Sequence, residues 1–160
     1  MDKKISIYSL TTTYAESLEN NTQFVHLLNK ELVNQGMKIK TITPHSKNLL
    51  TTETIDKVTV KRFRYLPERY EIGSSAISEV SKSKVGFFKV SLIASIFYIF
   101  TFFECLKEKP DIFHGHWAFP GGYIAYLMSK IFAKPFVVTI HGGEINMLKK
   151  FKFLRKIIKM

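Results

Sequence analysis

The sequence predicts an α/β fold, a Rossmann-like parallel sheet with helices on both faces. Short runs of strand length, apolar or alternating, take turns along the chain with longer segments of helical period. One of the runs, residues 136–140, is apolar except for Thr139, which is typical of a strand buried inside a parallel sheet. Proline or glycine separates most of these segments, which sets their bounds.

Five strands and four helices are predicted. The strands are expected at residues 5–9, 37–43, 58–65, 112–114 and 136–140. The helices are expected at residues 22–34, 85–107, 120–133 and 145–160. Gly36 is expected to end the first helix in a left-handed conformation, and Pro120 to begin the third. The predicted strand order is 3-2-1-4-5 with right-handed crossovers, which leaves the last strand at an exposed edge.

Side-chain pattern adds two finer predictions. In the first helix, apolar residues recur at helical spacing and predict its core-facing side: Phe24, Leu27, Leu28 and Leu32. Residues 44–57 show no such pattern and are expected to form a hydrophilic loop.

The long helix predicted at residues 85–107 allows three interpretations. Its central stretch, residues 90–103, has no charged residue. A membrane-spanning helix needs roughly 18–20 apolar residues, a length that is reached here only by including Lys89. The helix also lies inside a βαβ pattern, which favours a buried or half-buried crossover helix. Contact with a membrane in its plane and a true span are the alternatives.

Composition narrows the class of protein. With 160 residues, 46% of them hydrophobic and 23% charged, the chain fits one domain with a sizeable core and is not disordered, collagen-like or of low complexity. Cys105 is the only cysteine, which excludes a disulfide framework and a multi-cysteine zinc site and favours an intracellular compartment. No signal peptide is visible. A cytoplasmic protein is expected, with a peripheral position at the inner face of the cell membrane as a variant.

The net charge of +11 is concentrated at one end of the chain. Residues 145–160 carry six basic residues and no acidic one. A nucleic-acid module instead spreads basic residues over a binding face, with aromatic residues for stacking, so no nucleic-acid partner is predicted. An anionic membrane surface, or a ligand that bears phosphate, remains open as a partner.

Three loops should meet at the carboxyl ends of the strands, where open α/β sheets bind ligands. The loop at residues 111–122 is the richest, because His114 and His116 are two apart on a strand and face the same side. This pair could bind a metal ion, or one imidazole could transfer a proton while the other supports it. A strand-end histidine bonded to a backbone carbonyl is the alternative. No nearby carboxylate or cysteine completes a ligand set, so no metal is predicted.

The residues after this pair offer further contacts. Trp117 and Phe119 present apolar faces on which a sugar ring could stack, although core packing explains them equally well. Because Pro120 begins a predicted helix, Gly121 and Gly122 are expected to leave backbone N–H groups bare at its positive end, which suits a phosphate or carboxylate.

A second turn from strand to helix is predicted at residues 139–144. Gly142 and Gly143 follow His141 and permit a tight turn and the close approach of a ligand. Glu144, in the first helical turn, is expected mainly to compensate the helix dipole.

Two runs together closely resemble the N-terminal domain of family 4 glycosyltransferases, which have the GT-B fold. The runs are residues 109–125, KPDIFHGHWAFPGGYIA, and residues 134–144, KPFVVTIHGGE. Residues 62–71 also resemble the segment after the third strand in some members, and residues 22–36 resemble the first helix. The resemblance covers nearly all of the chain.

The resemblance implies a retaining enzyme that transfers a sugar from a nucleotide-sugar donor to a glycan or lipid-linked acceptor, with no cofactor. In such enzymes the N-terminal domain mostly binds the acceptor, and the C-terminal domain binds the donor. His116 matches the second histidine of the family's His-x-His at the sugar-transfer site and is the candidate catalytic residue. The other candidate residues of the cleft between the domains are His114, Trp117, Gly121, Gly122, His141, Gly142, Gly143 and Glu144.

Two departures from the family's pattern limit these implications. Residues 11–20 lack the Gly-Gly pair that many members carry after the first strand, so no phosphate role is transferred to this loop. Residues 1–160 contain no motif of the donor-binding domain, so they are interpreted as a single N-terminal domain that transfers no sugar alone. The alternatives are one subunit of a split glycosyltransferase with a donor-domain partner chain, or a non-enzymatic module that binds a membrane surface or phosphate.

Overall fold

The fold is one six-stranded sheet with helices on both faces. The computed structural model describes residues 4–14, 23–71 and 84–142. The strands are β1 (Ser6–Leu10), β2 (Lys38–Pro44), β3 (Thr52–Ile55), β4 (Val58–Phe63), β5 (Ile112–His116) and β6 (Phe136–Thr139). Their order is β3-β4-β2-β1-β5-β6, and every neighbouring pair is parallel except β3 with β4. The predicted fold class is confirmed.

The five predicted strands are present in the predicted order, and β3 is an additional strand. The expectation of a loop over residues 44–57 is therefore wrong for β3, which pairs antiparallel with β4 at one edge of the sheet. The two strands are joined by Asp56 and Lys57, which have positive φ angles of 48° and 65°. Two-residue hairpin turns with this geometry usually contain Asn-Gly or Asp-Gly, so the Asp-Lys pair gives little signal in the sequence.

Three α-helices connect the strands in the part of the chain that the structure describes: α1 (Gln23–Asn34), α2 (Lys84–Lys107) and α3 (Tyr123–Phe132). Gly36 follows α1 with a φ of 91°, which confirms the predicted left-handed cap. Pro120 does not begin α3, because an irregular helical turn, Ala118–Gly122, comes first. The basic helix predicted at residues 145–160 lies outside the described residues.

The two faces of β1 contribute to two separate cores. Tyr8 and Leu10 pack with side chains of α2 and α3, whereas Ile7 faces the other way and packs with Val25 of α1. This alternation places α1 on one side of the sheet and α2 and α3 on the other.

The core-facing side of α1 differs from the predicted one. Three of the four residues expected in the core are exposed: Phe24, Leu27 and Leu28. Val25, His26 and Asn29 are buried in their place. The expectation is wrong because Asn29 meets the polar side chains of Ser9 and Thr41 on the sheet, while His26 meets Tyr14 and Asp56 in the adjoining loops.

The helix α2 is a crossover helix between β4 and β5, as the sequence favours. Phe97 is buried, and its ring stacks on that of Phe63 with centroids 4.9 Å apart. Glu104 is also buried and forms an ion pair with Lys61 of β4, with Nζ and Oε2 2.9 Å apart. By length and composition alone, the stretch Phe88–Lys107 could cross a membrane. Its outer side leaves four large apolar side chains exposed: Phe88, Ile99, Phe103 and Leu106.

Candidate functional site

The candidate site lies at the carboxyl ends of β1, β2, β5 and β6, on the α1 side of the sheet. Ile7 packs in the core on this side, and the alternation of β1 places Ser9 on the same side. Thr41 is the register partner of Ser9 on β2, and His114 is its register partner on β5. His116 follows on the same side of β5. The apolar core of this face therefore ends in a row of polar side chains.

Three histidine rings stand next to one another in this row. The rings of His114 and His116 have centroids 4.3 Å apart, as expected for two residues on one side of a strand. The ring of His116 stacks on that of His141, and their Nδ1 and Nε2 atoms are 3.3 Å apart. His114 turns its Nε2 to the Thr139 hydroxyl at 2.7 Å. The structure thus brings together three of the predicted site residues.

His116 is held at both of its ring nitrogens. Its Nε2 lies 3.1 Å from the hydroxyl oxygen of Ser9, opposite the contact of its Nδ1 with His141. Ser9 in turn accepts a hydrogen bond from the side-chain amide of Asn29, and the same amide nitrogen donates to the Thr41 hydroxyl. The His116 side chain is completely buried, whereas His141 is half-buried. His141 is therefore the ring of this pair that lies nearer the surface.

Aromatic rings surround His141 on its outer side. The ring centroid of Phe24 lies 4.4 Å from that of His141, and the Trp117 centroid lies 4.7 Å from it. The Trp117 indole N–H donates to the Thr13 hydroxyl at 3.1 Å, which fixes the ring against the loop after β1. Its backbone has a φ of 68°, an unusual value for a bulky residue. These rings form an apolar wall beside the histidine row.

Burial keeps all three imidazoles neutral at pH 7. Desolvation lowers the pKa of His116 to about 3, and the nearby His114 and His141 lower it further in the same direction. Desolvation also lowers the pKa of His114, with a smaller contribution from His141, and it lowers the pKa of His141. Neutral imidazoles have one N–H donor and one acceptor nitrogen each, so they can form a directed hydrogen-bond chain.

The glycines after β5 serve close packing. A Cβ atom on Gly121 would lie 2.5 Å from the His116 carbonyl oxygen and 2.6 Å from that of Leu10, and one on Gly122 would lie 2.7 Å from the Trp117 carbonyl oxygen. The Gly122 N–H donates to that same carbonyl at 2.8 Å. The expectation of a bare N–H is therefore wrong for Gly122, because the turn uses this group for its own closure.

The remaining predictions at this edge have mixed outcomes. Gly142 is exposed with a φ of 84°, which suits the predicted tight turn. Gly143 and Glu144 lie outside the described residues. Within the described ranges, no group of three or more His, Cys, Asp or Glu side chains could hold a metal ion.

The comparison with protein families decides which family this arrangement belongs to. The family model described as Glycosyltransferase Family 4 matches residues 22–159, which include both motif runs. The chain belongs to glycosyltransferase family 4. The resemblance seen in the sequence is thereby confirmed, and the chain is a glycosyltransferase domain.

Solved structures show the same fold as this glycosyltransferase domain. Fourteen solved chains match it. One of them, a sucrose-phosphate synthase from Thermosynechococcus elongatus, superimposes with a TM-score of 0.61 and 14% sequence identity, over 96% of this chain and 70% of that one. Identity this low shows a shared fold only. No curated protein sequence matches the chain.

Several residues of the candidate site are absent from the sequence-based prediction. They are Ser9, Thr13, Phe24, Asn29 and Thr41. Ser and Thr at alternating strand positions are a usable signal, because they mark a polar stretch on one side of a strand. Asn29 gives no such signal, because a lone asparagine in an amphipathic helix is usually a solvent-exposed residue.

A second concave feature of the domain lies on the opposite side of the sheet. A groove of about 430 Å³ runs between α2, α3 and the turn Ala118–Gly122. Its lining carries no charged residue, and Phe119 forms part of it together with Tyr98 and Tyr123. Trp117 and Phe119 therefore point to different places, the first to the histidine row and the second to this groove.

Proposed function

We propose that this domain is the acceptor-side half of a retaining glycosyltransferase, which moves a sugar from a nucleotide-sugar donor to a glycan or lipid-linked acceptor. The observation that supports this is the contact between His116 Nδ1 and His141 Nε2 at the carboxyl edge of the sheet, where the His141 ring lies beside that of Trp117. An imidazole can exchange hydrogen bonds with a sugar hydroxyl, and an indole offers an apolar face with a polar edge.

The two histidines have different roles in this proposal. His141 contacts the sugar, because its ring is half-buried and borders the aromatic wall. His116 is the catalytic residue that the sequence resemblance implies. In this proposal it is a positioning residue, because both of its ring nitrogens are already engaged. His114 lies one step further from the edge and bonds to Thr139.

The leaving nucleoside diphosphate needs positive charge, which the neutral imidazoles of the described site do not provide. Stabilising such a group takes cations or oriented N–H donors aimed at the developing charge. The imidazoles of the described site are neutral, and Ser9, Thr139, Phe24 and Trp117, which are among the side chains that contact them, carry no charge. We therefore expect a donor-binding domain, in the same polypeptide or as a partner chain, to hold the donor.

Sugar transfer by the enzyme with its donor-binding domain tests the assignment. His141→Ala is expected to lower kcat by about 10²–10⁴-fold, the usual range for a group that handles protons or hydrogen bonds at the reacting centre. His116→Ala should lower kcat less, because its ring acts only through His141. His114→Ala is the matched control and should cost less, because its Nε2 bonds to the Thr139 hydroxyl and not to the proposed sugar contact, His141. A His141→Ala enzyme with the parent's kcat would overturn the assignment. Loss of activity on chelation would point to a metal instead.

We also propose that the domain docks reversibly on an anionic membrane at the cytoplasmic face. The exposed side of α2, with Phe88 72% and Phe103 56% accessible, supports this, as does the uncharged groove beside it. The net charge of +11 adds attraction to anionic lipid.

Liposome flotation at low and high salt tests the docking. The parent chain should float with vesicles that contain anionic lipid, and salt should weaken this binding. Phe88→Ser with Phe103→Ser should abolish it, whereas Leu50→Ser, at a residue that is 65% exposed in the loop before β3, should leave it unchanged. Flotation that ignores both salt and lipid charge would contradict the proposal.

A further inference from the structure

Among the described side chains of α1, two polar ones are buried, His26 and Asn29. Only His26 has its hydrogen-bond partners in the loops. His26 lies between the Tyr14 hydroxyl at 2.7 Å and the Asp56 carboxylate at 3.1 Å. Asn29, which is completely buried, is instead inserted between two strands. Its amide nitrogen donates to Ser9 on β1 and to Thr41 on β2, each at 3.0 Å.

The orientation of the Asn29 amide follows from counting donors and acceptors. With the nitrogen toward the two hydroxyls, both of its N–H groups are used and only the amide oxygen lacks a partner. With the amide turned over, two buried N–H groups would lack partners. Each buried polar group without a partner costs about 1–3 kcal/mol. The donor orientation is therefore the better one.

This orientation favours one direction for the hydrogen bonds beyond Ser9, because the buried hydroxyl proton of Ser9 also needs an acceptor. Because Ser9 accepts from Asn29, its own proton is available for another partner. Apart from Asn29, the contact recorded for the Ser9 hydroxyl within the described part of the chain is His116 Nε2 at 3.1 Å. Ser9 can donate to that nitrogen only if the nitrogen has no proton. The proton of the neutral His116 ring is then on Nδ1, which faces His141 Nε2.

We propose that Asn29 and Ser9 are positioning residues that hold His116 as the Nδ1–H tautomer. His116 then donates to His141 Nε2, and the proton of the neutral His141 is on Nδ1. This inference rests on the proposed function for its meaning: His141 Nε2 would be engaged as the acceptor of the His116 N–H and would not act as a base on the sugar. Asn29 of α1 thus sets the donor-to-acceptor direction of the hydrogen bonds that run from Asn29 to Ser9, His116 and His141.

Nitrogen NMR of the imidazole rings in the 160-residue chain tests the proposal without donor, acceptor or turnover. In the parent, His116 and His141 should both be mainly Nδ1–H at neutral pH. Asn29→Asp should invert His116 to Nε2–H, because a carboxylate can only accept and would take the Ser9 proton. Ser9→Thr should keep the parent tautomer, and Ser9→Ala should give a mixture.

Two internal controls make the result specific. Asn34→Asp makes the same change at an exposed position of α1 and should leave both tautomers as in the parent. Gln35→Glu adds a negative charge at another exposed position, just after α1, and should likewise leave both tautomers unchanged.

The outcomes separate this inference from the proposed function. A parent His116 that is Nε2–H, or a folded Asn29→Asp chain with its tautomer unchanged, would overturn the inference. If Asn29→Asp does not fold, Ser9→Ala decides, since an unchanged tautomer there is equally fatal. In the complete enzyme, Ser9→Ala should lower kcat by about tenfold with an unchanged KM, the loss of one hydrogen bond of ordinary strength. If the tautomers are as expected but the His141→Ala enzyme keeps full activity, the hydrogen-bond direction is supported. The proposed contact of His141 with the sugar is then refuted.

Discussion

The two faces of the sheet bury their contacts with different chemistry. On the α1 side, near the carboxyl edge, the contacts are hydrogen bonds such as those of Asn29 and His116, with separations of 3.0–3.3 Å. On the side of α2 and α3 the core consists mainly of apolar and aromatic side chains, such as the stacked rings of Phe63 and Phe97. Hydrogen bonds fix the direction of particular atoms, whereas apolar contacts fix area and volume. Hydrogen bonds therefore orient the side chains where sugar chemistry is proposed, whereas burial of apolar area holds the other face together.

The largest effect on stability is expected on the apolar side. Phe97→Ala should lower the free energy of unfolding by about 3–5 kcal/mol, because it removes a completely buried ring that stacks on Phe63. Phe103→Ala on the same helix is the matched control, and its cost should stay within about 0.5 kcal/mol because that ring is mostly exposed. Urea unfolding measures both. Similar losses for the two variants would mean that α2 does not dock on the sheet as described.

A smaller effect is expected where the two faces meet, in the turn after β5. Gly121→Ala should cost about 1–3 kcal/mol, because its Cβ would meet two backbone oxygens that cannot move away independently. At Gly142, no atom of the described residues lies within 4 Å of an added Cβ, and Gly142→Ala should cost only about 0.5–1 kcal/mol for its positive φ. Thermal unfolding of both variants compares them. Equal costs would contradict the close approach of this turn to β1 and β5.

The smallest effect concerns a polar cluster that breaks the division between the faces. Hydrogen bonds from Lys38 and then Lys40 lower the pKa of Glu108 to about 2, well below that of an unfolded chain. A lowered carboxyl pKa stabilises the fold above the unfolded value, and this contribution disappears as the pH falls toward the folded value. Stability should therefore decline between about pH 5 and pH 2, by about 1 kcal/mol or less because Glu108 is 38% exposed.

Glu108→Gln measures that contribution directly. The variant should be less stable than the parent at pH 7 and should show a flatter decline in acid. Urea midpoints at a series of pH values provide the comparison. An identical pH profile in the two proteins would show that other carboxyl groups cause the acid loss.

The parts of the fold that were predictable from sequence are those with a local pattern. His114 and His116 fall on one side of β5 because strand residues alternate, and this needs no knowledge of the rest of the chain. The hydrogen bonds that join Asn29, Ser9 and His116 have no local pattern, since Ser9 is 20 residues from Asn29 and 107 from His116. Register and helix rotation bring these residues together, and a single sequence does not contain either.

The glycines show why a correct motif can receive the wrong physical meaning. Pro120 with Gly121 and Gly122 has the composition of a helix start that binds an anion. In the structure the Gly122 N–H closes its own turn on Trp117, and the missing Cβ atoms allow the turn to approach two strands. Small residues permit either use, and only the neighbours decide between them.

The backbone of Trp117 has a consequence for how this domain can change under selection. A φ of 68° with a ψ of 144° is a conformation that glycine adopts readily and a bulky residue adopts at a cost of about 1–3 kcal/mol. A library selected only for folding should therefore replace Trp117, with glycine first. A library selected for sugar transfer should keep it, since the indole that borders His141 would be lost. The two selections would diverge at this one codon, and their difference would measure how much stability the chain gives up for an aromatic wall.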